Sequence, residues 1–184
     1  MGNEIEVRVQ GLDELRAQLK ALPDKLRRRA LRNALAAGAR IVRDEARAQA
    51  PVLAQPTQRR ASGTVRNAIV VRTSKEAKRA GDVGVYVNVR PARVGQRGAN
   101  KPTDPFYWRW LEFGRTGRSG AAARPAGRGL IRKVRARKAK RAVGPLPALG
   151  FLRAGAARLT DALRKIEQVL GPAVQRIVDK QSKD

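Results

Sequence analysis

The 184-residue sequence contains no cysteine and no histidine. The first absence excludes a disulfide framework, thiolate metal ligation and a thiol nucleophile. The second removes the usual general base at neutral pH, the commonest zinc ligand and the standard hydrolase triad. Aromatics make up only 4% of the chain, so a core has to be built from Leu, Val, Ile and Ala. Acids are few as well: 15 against 41 Lys and Arg, a formal net charge of +26. Such a surface repels itself and attracts phosphate or acidic protein. No apolar run reaches the length of a membrane span, and the opening MGNEIEVRVQ has no apolar signal core. The chain therefore reads as made in a cytosol, without membrane contact. The remaining acids form no pair at acid–base or metal spacing. GRTGRSG lacks the strand-to-helix context of a phosphate-binding loop. No enzyme activity, metal or cofactor is expected.

What is present is 42% hydrophobic and patterned. Ile5, Val7 and Val9 alternate with Glu4, Glu6 and Arg8, the period of a half-buried strand ended by Gly11. Leu12, Leu15, Leu19 and Leu22 form a helix stripe stopped by Pro23. A long second helix follows to residue 50, with Asp24 as its cap. Its apolar face runs through Leu31, Leu35, Gly38, Ile41, Val42 and Ala46. TVRNAIVVRTS and GDVGVYVNVRP read as an antiparallel hairpin with EAKRAGD as the turn. Residues 91–105 read as a loop. Residues 107–113 fit a short helix and a strand equally. From Leu149, a helix period runs through Leu152, Ala156, Leu159, Leu163, Ile166, Leu170, Val174 and Ile177, with a bend expected at Gly171-Pro172. The segregation of strands from helices predicts an α+β fold. A small antiparallel sheet packs against long helices, with a C-terminal helix and an extended basic arm. Residues 1–184 form one domain in this reading.

Two features carry the functional question. Glu112 lies among Trp108, Trp110, Leu111 and Phe113, where a carboxylate is partly desolvated and needs a cation or backbone donors. A bidentate arginine is its natural partner, and the residue reads as a structural or interface anchor rather than a catalyst. Residues 115–148 contain eleven basic residues and no acid. They read as a flexible insertion. Arg124, Arg128, Arg132, Lys133, Arg135, Arg137, Lys138, Lys140 and Arg141 are its candidate contacts to a polyanion or an acidic partner. The insertion has no interleaved aromatics, so any nucleic-acid contact is expected to be sequence-independent and salt-sensitive.

Five segments in order carry a resemblance: VQGLDELRAQLKALP, a helix ending ARAQAP, SGTVRNAI before a valine hairpin, YWRWLEFGRTG, and GFLRAGA opening the last helix. The sequence resembles the head–tail joining, or tail-completion, proteins of long-tailed bacteriophages. The residues at its motif positions, and candidate interface residues, are Ser62, Gly63, Val65, Arg66, Trp108, Glu112, Phe113, Gly114, Phe151, Leu152 and Arg153. The sequence departs from the family pattern where Ser62-Gly63-Thr64-Val65-Arg66 stands for the usual Thr-Gly-x-Leu-Arg, at Arg115-Thr116 and in PALGFLRAG. Its 118–146 region is longer and more basic. The resemblance implies a non-catalytic virion protein of the neck. It implies assembly into a ring, six-fold because tails are, that contacts neighbouring connector, tail terminator or tail tube proteins. DNA passing through the neck is a further non-specific contact. The competing reading is a non-specific nucleic-acid-binding protein.

Overall fold

The computed structural model describes residues 12–117, 119–120, 127–128, 133–134 and 142–181. The strand expected at residues 4–10 lies outside the described residues. In chain order the elements are α1 (Leu12–Ala21), α2 (Asp24–Gln49), α3 (Thr64–Ala68), β1 (Ile69–Thr73), α4 (Lys75–Arg79) and β2 (Val85–Val89). Then follow α5 (Trp108–Phe113), β3 (Gly127–Arg128), β4 (Lys133–Val134), α6 (Phe151–Ala156) and α7 (Leu159–Gln181). The fold is α+β: β1 and β2 form a two-stranded antiparallel sheet against long helices, with a C-terminal helix.

The contact seam of α2 keeps Gly38 and Ala46 of the expected face but not its larger side chains. Its buried positions are Ala30, Ala34, Gly38 and Ala46, while Leu31, Leu35, Ile41 and Val42 stay partly exposed at its margin. Small side chains win the seam because the helices approach backbone to backbone. A Cβ on Gly38 would sit 2.6 Å from the Ala162 carbonyl oxygen of α7, and one on Gly155 of α6 would sit 2.6 Å from the Val42 carbonyl oxygen. The cap also differs. Pro23 occupies the cap position without a side-chain bond, and Asp24 enters the first turn, where it pairs with Arg28 at 2.7 Å. An acid there still opposes the positive end of the helix dipole.

The core has two centres. At the sheet end, Phe151, Ile69, Val65, Val89, Ala46 and Ala50 cluster. At the helical end, Leu22, Ala30, Ala34, Leu170 and Val174 do so. The C-terminal helix is interrupted at residues 157–158 and runs on unbroken through Gly171-Pro172, where the bend was expected. The break lets α6 direct Phe151 into the sheet-end cluster while α7 follows α2. Leu159 and Leu163, expected on the buried face, are exposed.

The hairpin is shorter than its sequence pattern. Ile69 pairs with Val89, Val71 with Val87 and Thr73 with Val85. The first five residues of the expected strand form α3 instead. Gly63, at φ 67°, turns the chain there, and the Asn67 N–H bonds back to the Gly63 carbonyl at 2.8 Å. The expected turn contains α4, because Ser74 Oγ accepts the Ala77 N–H at 3.2 Å as an N-cap. No helix among the described residues is long and apolar enough to cross a membrane.

Candidate docking site

The segment Ser62–Arg66 is a structural corner. Ser62 Oγ donates to the Leu53 carbonyl at 2.8 Å. Thr64 Oγ1 lies 2.8 Å from the Ala61 carbonyl and 3.1 Å from that of Pro102, tying two loops together. Val65 is buried in the sheet-end core, and Arg66 is exposed. The loop at 91–105 is organised by buried Asp104, whose carboxylate accepts the Gly98 N–H at 2.6 Å. Tyr107 packs beside Thr64 on the sheet-end core. Burial raises its phenol above the ordinary value of 10.0, against the opposing effects of the Arg60 charge and the Thr64 hydrogen bond.

Residues 107–113, open between helix and strand in sequence, include the single helical element α5. Helical spacing sorts its side chains. Trp108 and Leu111 turn toward the core, and Trp110 and Phe113 turn outward, 41% and 66% exposed. Glu112 is 5% exposed, but its partner is not an arginine. Its carboxylate accepts the backbone N–H groups of Leu152 at 2.8 Å and Arg153 at 3.1 Å. Gly150, the cap residue of α6, has no side chain, so the Glu112 carboxylate, forty residues before Leu152, fills the role of an N-cap. Two further bonds close the seam: Leu149 N–H to the Leu111 carbonyl at 2.8 Å, and Gly150 N–H to the Glu112 carbonyl at 3.2 Å. Gly114, at φ 76°, passes so close that a Cβ would meet Ala148 N and Leu146 O at 3.0 Å. Phe151 is fully buried, Leu152 half-buried and Arg153 exposed.

The outer side of this seam is an aromatic face. Phe106 meets Trp110 edge-on at 5.9 Å, and Phe113 follows one turn later. Arginines flank it. The Arg60 guanidinium lies 4.9 Å from the Phe106 ring centre, and that of Arg115 lies 5.1 Å from Trp110. Arg115 also closes the insertion at its base: it forms a two-bond antiparallel bridge with Leu146, both bonds 2.8 Å. Its Nε is buried without a hydrogen-bond partner among the described residues.

Within the insertion, Arg128 and Lys133 lie on the antiparallel pair β3–β4. Arg124, Arg132, Arg135, Arg137, Lys138, Lys140 and Arg141 lie outside the described residues. Among the described residues no cluster of acids could hold a metal ion. The sequence alone does not show that Phe106 and Trp110 form an exposed face, or that Arg60 and Arg115 flank it. Their signal is the i, i+3 spacing of Trp110 and Phe113, usable only once the segment is known to be helical.

A family model described as "Bacteriophage HK97-gp10, putative tail-component" matches residues 13–114. The matched stretch runs from α1 through α5 and stops one residue before the Arg115–Leu146 bridge. No curated protein and no solved structure matches the chain.

Proposed function

Because the chain belongs to the HK97-gp10-like family of bacteriophage tail components, we propose that it is a non-catalytic component of the phage neck, joining head to tail as a six-fold ring. The observation that carries this reading is the exposed aromatic face of Phe106, Trp110 and Phe113. Exposed aromatics beside arginines are the composition of interface anchors. The face is built on a segment pinned by Glu112, so it is presented without a large ordering cost on binding.

The insertion is assigned to a polyanion, either the DNA passing through the neck or acidic faces of adjacent tail proteins. Neutralising Arg135, Arg137, Lys138, Lys140 and Arg141 separates the two. If they bind DNA, the dependence of log affinity on log salt flattens by about 0.9 for each phosphate they no longer neutralise. If they bind protein, assembly weakens and DNA binding is unchanged.

The central test is association. Light scattering and cryo-electron microscopy of the protein, alone and with neck and tail proteins, are expected to show a discrete ring. Trp110→Asp with Phe113→Asp is expected to abolish incorporation into tails while the circular dichroism spectrum stays unchanged. A chain that remains monomeric and never joins portal-proximal or tail proteins would refute the reading.

A further inference from the structure

Among the described residues, no strand pairs with the outer edge of β1. Arg90 N–H bonds to the Ala68 carbonyl and Ser74 N–H to the Gly84 carbonyl, each at 2.8 Å, just outside the two ends of the β1–β2 ladder. By alternation, Val70 and Arg72 turn their main-chain groups toward β2, while Ile69, Val71 and Thr73 turn theirs away. The Ile69 carbonyl is taken by Arg47 Nε at 3.1 Å. Among the described residues, Val71 and Thr73 have no partner on that side.

Beside this edge runs a groove of about 400 Å³ between β1 and α2. Arg32, Arg40, Arg43 and Arg72 line it, a positive surround that favours an added strand carrying acid. This chain has little acid to offer. Yet Glu4, Glu6, Asp13 and Glu14 lie within its first fourteen residues, where Arg8 is the one basic side chain. The same stretch carries the strand alternation of Ile5, Val7 and Val9 opposite Glu4 and Glu6.

The geometry points to a second copy as the donor. Arg32, Ala36 and Arg40 lie about half a turn around α2 from Ala30, Ala34 and Gly38, two residues being roughly 200° of helix rotation. α7 packs on the Gly38 side, and Leu19 and Leu22, at the end of α1, pack on the cluster with Leu170 and Val174. The end of the chain's own α1 therefore packs on the opposite side of α2 from the groove. We propose that residues 4–10 of one subunit add as a third strand to the outer edge of β1 in a second copy. Ile5, Val7 and Val9 then extend the apolar face of Val71 and Val87, and Glu4 and Glu6 fall on the opposite face, beside Arg72. This strand exchange rests on the ring reading and names the element that links its subunits.

The absence of cysteine makes the test clean. Arg72→Cys is combined in turn with Glu4→Cys, Glu6→Cys or Arg8→Cys, and each variant is oxidised in the assembled particle and run without reductant. The expected result is a ladder of cross-linked multimers for at least one pair, reversed by reductant, with the circular dichroism of the original protein. A faster-migrating monomer, cross-linked within one chain, overturns the exchange, as does the absence of any cross-link. Native mass and cryo-electron microscopy of the unsubstituted protein are read separately. A ring without cross-links defeats strand exchange alone, whereas no ring defeats the parent reading.

Discussion

Glutamine at position 112 is predicted to destabilise the fold far more than its size suggests. Glu112→Gln keeps shape and burial, so no cavity forms. What changes is the pattern of acceptors. The carboxylate now takes the Leu152 and Arg153 N–H groups with separate oxygens, at 2.8 and 3.1 Å. An amide retains one acceptor and turns a donor toward the other N–H. One charge-assisted bond disappears, worth about 1.5–3 kcal/mol net, and the buried donors left facing each other cost about 1–3 kcal/mol more. A loss of about 3 kcal/mol is a large share of the roughly 5–15 kcal/mol that holds a domain together. Urea unfolding checks it, with Trp108 and Trp110 as intrinsic reporters on the same helix. At a slope of about 2 kcal/mol/M the midpoint falls by about 1.5 M with the slope unchanged. Phe113→Ala, at the exposed neighbouring position, is the control and shifts it by less than about 0.3 M. A Glu112→Gln protein within about 0.5 kcal/mol of the original would refute the capping argument.

Gly38→Ala improves intrinsic helix propensity by about 1 kcal/mol yet is expected to lower stability by about 1–3 kcal/mol, because its methyl group meets the unyielding Ala162 carbonyl oxygen at 2.6 Å. A melting temperature lowered by several degrees checks this; an unchanged or raised one would show that α2 and α7 separate freely. Tyr107 predicts an alkaline weakening. Its folded-state phenol is raised by burial, so its contribution is intact below the unfolded value of about 10 and is lost as pH rises through the folded one. Unfolding free energies measured from pH 9 upward should decline, and Tyr107→Phe should remove part of that decline; identical profiles would count against it.

Much of the architecture was legible because periodicity is a strong signal over long segments. The two long helices, the valine hairpin and the fold class came from it directly. The failures share a cause. The α2 seam belongs to alanines and glycine because closeness of approach, which hydrophobicity does not report, decides what is buried. Residues 64–68 have strand-like composition, but a left-handed glycine and the loop bonds of Thr64 impose a helical turn. Glu112 was identifiable as a desolvated acid in need of partners. The identity of those partners was not, since backbone donors leave no mark in sequence and arginines are everywhere in this chain. The exposed aromatics were hidden by the helix–strand ambiguity of seven residues.

The bridge between Arg115 and Leu146 brings the two ends of the insertion side by side, outside the stretch shared with the family. A segment whose ends already meet can change length at little cost, since each doubling adds only about 0.6 kcal/mol of closure entropy. The segment is thus a cassette. Evolution can lengthen, shorten or recharge it without renegotiating the core, and an experimenter can replace it with an epitope or a fluorescent domain in the same way. Variation in length and charge can then be confined to the segment between Arg115 and Leu146, while the rest of the fold stays constant.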